Sequence, residues 1–285
     1  MKRRPETEFS ETLPAEIADA LVRARPRLGH LGRRVLYFPS IGSTNDIATV
    51  LAAAPGAEGV VVVADAQTSG RGRLGRTWFS PPAAGLYVSV VLTPGRARVD
   101  PERATTLLTL AAGVALAEAV ETVSGLRASV KWPNDLYVER RKLGGILAEA
   151  VPGVGTGGDM TPRGPMNVVL GYGINVASAA FPPELADRAT SLESELGRAI
   201  DRTALLVESL AALADRYAHL LEGEYDAILD AWRLRAPTGI GARVSWIGHA
   251  GPQAGVTMGI DERGALLVRT VDGVERIVAG EIQWL

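Results

Sequence analysis

Hydrophobic and polar positions change period several times along the 285-residue chain, and each change marks an element. Residues 1–33 are polar and arginine-rich, with one helix expected from Pro14 to Arg25. Ser43 or Thr44 of the run Gly42-Ser43-Thr44-Asn45 offers an N-cap for a helix reaching about Ala54, where Pro55-Gly56 stops it. Gly59–Ser69 carries an unbroken valine run, the pattern of a strand buried on both faces. Leu86–Leu92 reads as a second strand. Asp100-Pro101 opens a long helix to about Val123, and Ser124-Gly125 closes it.

Ala128–Trp132 then reads as a strand, followed by a Pro-Asn-Asp turn, another strand, a charged hairpin tip at Glu139–Arg141, and a returning strand from Lys142 to Ala150. Pro152–Pro165 is rich in glycine and proline and reads as a loop. Asn167–Val176 is a further strand. Helices follow at Asp201–Leu221, capped by Asp201, and at Glu224–Arg235. Beyond Pro237-Thr238-Gly239 the pattern shortens to small strands and turns, as in a β barrel or sandwich of roughly 45 residues. The expected architecture is α+β. It consists of an N-terminal extension (1–33), a mixed sheet with helices on one side (34–236) and a small β domain (237–285).

Composition narrows the function classes. The net charge is −2, so the whole surface is not built to coat nucleic acid or an anionic membrane. With no cysteine, thiolate metal sites, disulfides and a cysteine nucleophile are excluded. The basic N-terminus lacks the apolar core of a secretory signal. The apolar run Leu107–Val120 contains Glu118 and is too short to cross a bilayer. A cytoplasmic protein is expected. Of 30 basic residues only Lys2, Lys131 and Lys142 are lysines, so two internal lysines close together stand out. Lysine is a compact point charge that arginine does not replace.

The candidate chemistry begins at Gly70–Trp78, GRGRLGRTW, where Arg71, Arg73 and Arg76 alternate with Gly70, Gly72 and Gly75. Such a loop is either a solvated, nucleic-acid-adhering segment or one that wraps anionic groups with bidentate guanidinium bonds. GRGRLG also fits the letters of a dinucleotide fingerprint, as does GVGTGG at 153–158, but neither opens a helix after a strand. P-loop and G-x-S-x-G motifs are absent. His30, His219 and His249 are scattered without ligand spacing. In Lys131–Asp135 (KWPND), Asp135 is either an ordinary turn residue or a partner for magnesium or a ribose hydroxyl. In Lys142–Gly145 (KLGG), Lys142 is either a surface lysine or an ammonium over an anion, with the glycines admitting a flat ligand. Gly171–Asn175 (GYGIN) is either close strand packing or room for a ligand, with Asn175 as a polar contact.

The order GSTN, QTSGRGRLGRTWFS, KWPNDLY, KLGGILAE and VLGYGINV resembles the biotin protein ligase family over about 200 residues, and more weakly over the C-terminal β region. The resemblance implies a class II synthetase-like catalytic fold with an SH3-like barrel. It also implies formation of biotinyl-5′-AMP from biotin and ATP, with Mg²⁺, and transfer of biotin to a lysine of a biotin carboxyl carrier domain. It assigns biotin to Ser43, Thr44, Asn45, Gln67, Arg71, Gly72, Arg73, Lys142 and Gly145. It assigns ATP to Arg73, Arg76, Trp78, Asp135, Lys142 and Asn175. Lys142 and Arg73 are the catalytic candidates, and Asp135 is the metal candidate. Alternatives are a lipoate-type ligase on the same fold and a non-enzymatic, biotin-responsive binding protein. About 40 residues precede GSTN, too few for the winged helix of the family's repressor members, so the monofunctional type is expected, with neither nucleic acid nor membrane as partner. The sequence leaves monomer and homodimer both open.

Overall fold

Capping residues set the helix boundaries. A computed structural model describes residues 13–152, 166–177, 181–248 and 251–285. Much of the Gly/Pro-rich loop, including GVGTGG, and the first twelve residues fall outside these. The helices are α1 (Ala15–Ala24), α2 (Thr44–Ala52), α3 (Pro101–Ser124), α4 (Leu192–Leu196), α5 (Arg202–Glu222) and α6 (Tyr225–Arg235). Asp100 accepts a hydrogen bond from Arg103 N at the start of α3, and Gly125 ends it at φ 76°. Asp201 does the same for α5 through Ala204 N. In this left-handed C-terminal position glycine avoids the clash a Cβ would make.

A seven-stranded sheet contains β1 (Arg34–Phe38), β2 (Val60–Ala64), β3 (Gly85–Leu92), β4 (Ser129–Lys131), β5 (Asp135–Val138), β6 (Arg141–Val151) and β7 (Asn167–Asn175), in the order β1-β2-β3-β7-β6-β5-β4. β1 and β2 are parallel, and the other neighbours are antiparallel. A second sheet, with strand order β11-β10-β9-β8-β12, comprises β8 (Ile240–Gly248), β9 (Gly251–Ile260), β10 (Leu266–Arg269), β11 (Val274–Ile277) and β12 (Gln283–Trp284).

The alternation of β2, β3 and β7 places two cores on opposite faces of the large sheet. Val61, Val63, Val88, Val90, Leu170 and Tyr172 join one apolar cluster with α1, α3, α5 and α6. Val60, Val62, Val91 and Val169 join Ala48 and Ala52 of α2 in another. The expectation of helices on one side is therefore corrected for α2, which lies on the opposite face. The side of the sheet taken by a helix is set by its connections, which periodicity does not encode.

The 24 residues of α3 make it long and apolar enough, by length and composition, to span a bilayer, although the apolar run Leu107–Val120 within it reads as too short for that. Of its most apolar stretch, 67% is buried inside the fold, so its apolarity is that of a core helix. The C-terminal sheet contributes Val244, Ile260, Leu266 and Val268 to the larger cluster. Trp132 Nε1 donates to Gly264 O at 2.9 Å across the same junction.

Candidate active site

On the α2 face of the sheet, β3, β7 and β6 carry small residues side by side. Ser89 pairs with Gly171, and Gly173 pairs with Gly145. Strand alternation puts these on one surface, which forms a trough floor lacking side-chain bulk. Trp78 lies over it: a Cβ added at Gly173 would sit 2.3 Å from Trp78 Nε1, and one at Gly145 would sit 3.2 Å from its Cζ3. Trp78 Nε1 is buried without a hydrogen-bond partner. A buried donor left without a partner costs about 1–3 kcal/mol. Gly173→Ala is expected to push the indole off the floor, to cost about 1–3 kcal/mol of stability through overpacking, and to weaken binding of whatever ligand the trough takes. Thermal unfolding and ligand titration check both.

At one end of the trough a chain of polar groups runs through the GSTN segment. Ser43 has the extended backbone of an N-cap but makes no side-chain cap bond, leaving its hydroxyl outside the helix terminus. Gln67 Oε1 accepts from Thr44 N at 2.9 Å and from Thr44 Oγ1 at 3.1 Å, while Gln67 Nε2 donates to Ser80 Oγ at 2.9 Å. Ser80 Oγ donates to Trp78 O. Ser43, Thr44 and Asn45 are all buried. Asn45 therefore serves the wall of the site from within, with its amide held by neighbouring side chains.

At the other end are the charges. Lys142 Nζ is 2.6 Å from Asp135 Oδ1 and 5.4 Å from the centroid of the Trp78 ring. Asp135 sits opposite Gly145 in the β5–β6 register, which brings KWPND and KLGG together. The backbone of Lys142 is clamped on both sides, since its N–H donates to Arg188 O and its carbonyl accepts from Thr190 N. Asn175 Nδ2 donates to Thr190 O at 3.0 Å and so braces the same strap.

The Arg-Gly loop is a tight hairpin. Arg71 and Thr77 form an antiparallel bridge, Gly72 N donates to Arg76 O, and the tip turns through Leu74 and Gly75 at φ 57° and 73°. Arg71 is gripped by Asp46 and Glu149, each at 2.6 Å. Half-buried Arg73 donates to Asn134 Oδ1 at 2.9 Å and to Gly280 O at 3.1 Å. Burial lowers its pKa, with Asp135 opposing that effect. Arg76 is exposed and pairs with Glu281 of the C-terminal region.

A cavity of about 590 Å³ adjoins Arg73 and Asn134, between α3, β6 and the C-terminal sheet. Lys142 and Gly145 do not line it. The trough, where the glycine floor, the Thr44–Gln67 polar groups and the Lys142–Asp135 pair converge, is the candidate reaction site.

Lys131 lies 4.3 Å from the Tyr137 ring centroid and 5.2 Å from that of Trp284. Burial depresses its pKa to about 8, against a raising effect from Asp135 and further lowering by Lys142 and Arg188. Unfolding restores the ordinary, higher lysine value. Between the two values the unfolded chain binds more protons, so this residue's unfavourable contribution fades as pH rises past about 8. Lys131→Met is expected to raise the unfolding temperature near neutral pH, with that advantage declining from about pH 8 and gone only above the ordinary lysine value of 10.5. A thermal-melt series in pH checks it.

The structure thus brings GSTN, Gln67, Trp78, Lys142, Asp135 and Gly145 to one trough. Arg71 and Arg73 stand on adjoining walls, and Arg76 is turned toward Glu281. Sequence reasoning missed Ser80, Ser89, Asn134 and Glu149. Ser89 had a signal as the lone polar residue in an apolar strand. Asn134 and Glu149 lay inside motifs already noted, but their partners are 61 and 78 residues away.

This combination of fold and trough has a counterpart among known proteins. A family model described as the biotin/lipoate A/B protein ligase family matches residues 37–158, and one for the biotin protein ligase C-terminal domain matches residues 249–284. A bifunctional ligase/repressor of Bacillus spizizenii is 33% identical over 95% of this chain and 80% of its own length. A biotin–[acetyl-CoA-carboxylase] ligase of Mycobacterium tuberculosis is 34% identical over 88% of each chain. The solved biotin protein ligase from Aquifex aeolicus in complex with biotin and ATP superposes with a TM-score of 0.74 at 28% identity, covering 89% of this chain and 99% of that one. The chain belongs to the biotin protein ligase family.

Proposed function

We propose that this chain is an ATP-dependent ligase that forms biotinyl-5′-AMP and transfers the biotinyl group to a lysine of a biotin carboxyl carrier domain. The observation that carries the reading is the trough itself. It has a glycine floor under Trp78, the Thr44–Gln67 polar chain at one end, and Lys142 with Asp135 at the other. A flat ureido ring with N–H donors and a carbonyl suits the polar end, and a carboxylate suits the ammonium. In the first step a biotin carboxylate oxygen attacks the α-phosphorus of ATP and pyrophosphate leaves. Lys142 screens the two anions from each other and meets charge developing on the phosphoryl oxygens. Arg73 supplies positive charge to the phosphates, and Arg76 joins it on leaving its partner Glu281. Trp78 packs by the nucleotide, and Asn175 serves it directly and through the strap that holds Lys142. In the second step the acceptor amine attacks the acyl carbonyl and AMP leaves. The Arg-Gly hairpin keeps water from the mixed anhydride.

For magnesium, the described residues include no group of three carboxylates or histidines able to hold an ion. Asp135 Oδ1, buried and 2.6 Å from Lys142 Nζ, fits one of the one or two carboxylates that a nucleotide-borne Mg²⁺ uses. Such an ion would neutralise phosphate charge. The division at about residue 237, cytoplasmic location and a carboxylase carrier as acceptor belong to the same reading. It is tested by incubating the protein with biotin, Mg·ATP and a purified carrier domain. A mass gain of one biotinyl group on the carrier lysine is expected. An unmodified carrier beside a folded enzyme overturns the transfer step.

A further inference from the structure

We propose that Glu149 is a positioning residue for the acid substrate: it sets the direction of the hydrogen bonds at the end of the trough that reads the ureido ring. The inference rests on the reading of the trough as a biotin site.

The Glu149 carboxylate stands where three separated segments meet. Its Oε1 accepts from Arg71 at 2.6 Å and its Oε2 from Asn45 Nδ2 at 2.8 Å. An ionised carboxylate only accepts, so it leaves Asn45 one orientation, with Nδ2 toward Glu149 and Oδ1 toward β3. Gly171 makes room for this, since a Cβ there would sit 1.9 Å from Asn45 Oδ1. Ser89 Oγ, fully buried, lies 2.6 Å from Asn45 Oδ1 and 2.8 Å from Thr44 Oγ1. A hydroxyl has one proton for these two contacts. With Asn45 fixed, Oδ1 is the nearer acceptor and takes it. Thr44 Oγ1 must then use its own proton inside the wall, toward Gln67 or Ser89, and it presents lone pairs to the trough. An acceptor at that point matches a ureido N–H and disfavours an acid without one. The same carboxylate, with Asp46, fixes Arg71 at the base of the hairpin.

An amide at position 149 can donate as well as accept, so it releases both constraints. In biotin-dependent pyrophosphate exchange, Glu149→Gln is expected to raise the KM for biotin about tenfold, the scale of one charge-assisted hydrogen bond. The KM for ATP should stay within about twofold. Dethiobiotin, which keeps the ureido ring, should lose in parallel. Ser89→Ala removes the donor that holds Asn45 Oδ1 without touching the Arg71–Glu149 pair, and because Thr44 Oγ1 can still donate to Gln67 it should show a smaller loss that is likewise selective for biotin. It also keeps the test open should Glu149→Gln fail to fold. An unchanged biotin KM in either folded variant, or equal losses for biotin and ATP, overturns the proposal. Absence of exchange in the unsubstituted protein would instead remove the biotin reading on which it rests.

Discussion

Lys142→Ala is expected to lower biotin-dependent adenylate formation by about 10²–10³-fold, the effect of removing one preorganised charge from a developing oxyanion. Circular dichroism should stay that of a folded chain, and the unfolding temperature should fall only slightly. Alanine leaves Asp135 without the ammonium 2.6 Å away, but both side chains are partly exposed, so the cost of breaking the pair is modest. The place of residue 142 is fixed by backbone bonds to Arg188 and Thr190, which alanine retains. The loss should therefore appear in kcat more than in the binding of biotin, whose ring is read at the other end of the trough. Lys142→Arg should recover little, because a planar guanidinium does not reproduce a compact charge beside Gly145. Wild-type exchange rates in a folded Lys142→Ala variant would remove this residue from the chemistry.

Arg73→Gly is expected to act differently. Arg73 reaches from the hairpin to Asn134 of KWPND and to Gly280 O of the C-terminal region, so it carries charge and fastens the loop to both. Its loss should leave adenylation measurable while the acyl-adenylate escapes. That escape would be seen as free biotinyl-AMP in the medium and as biotin on lysines of bystander proteins. An expected rise of about tenfold or more in released intermediate follows from losing two hydrogen bonds made by a charged group. Tight retention of the intermediate by the variant would count against the clamp.

Much of the scaffold was legible because its signals are local. Asp100, Pro101 and Gly125 bound α3 in the sequence as they do in the structure, and Asp201 caps α5 as read. The valines of β2 are buried on both faces, as an unbroken apolar run implies. β1 escaped notice because five residues between an arginine and a proline give little pattern, and α4 is barely longer than one turn. The α+β class and the motif order of the site were readable. The way the motifs interlock was not. Glu149 and Arg71 meet only because β6 lies across the sheet from the strand that launches the Arg-Gly hairpin. Arg76 and Glu281 meet over 205 residues. Trp132 finds Gly264 only once the two sheets share a core. Such long-range pairings are products of topology and leave no periodicity to read.

The most direct test of the central claim is exchange of labelled pyrophosphate into ATP by the purified protein with Mg²⁺, comparing biotin, lipoate and no acid. Adenylation of a carboxylate is reversible and gives exchange, whereas binding alone gives none. The account predicts exchange with biotin and background levels with lipoate or without acid. Exchange with lipoate and not biotin would keep the fold and the Lys142 chemistry but overturn the reading of Thr44 and Gln67 as a ureido site. No exchange with either acid from folded protein would contradict the assignment of this trough to acyl-adenylate formation.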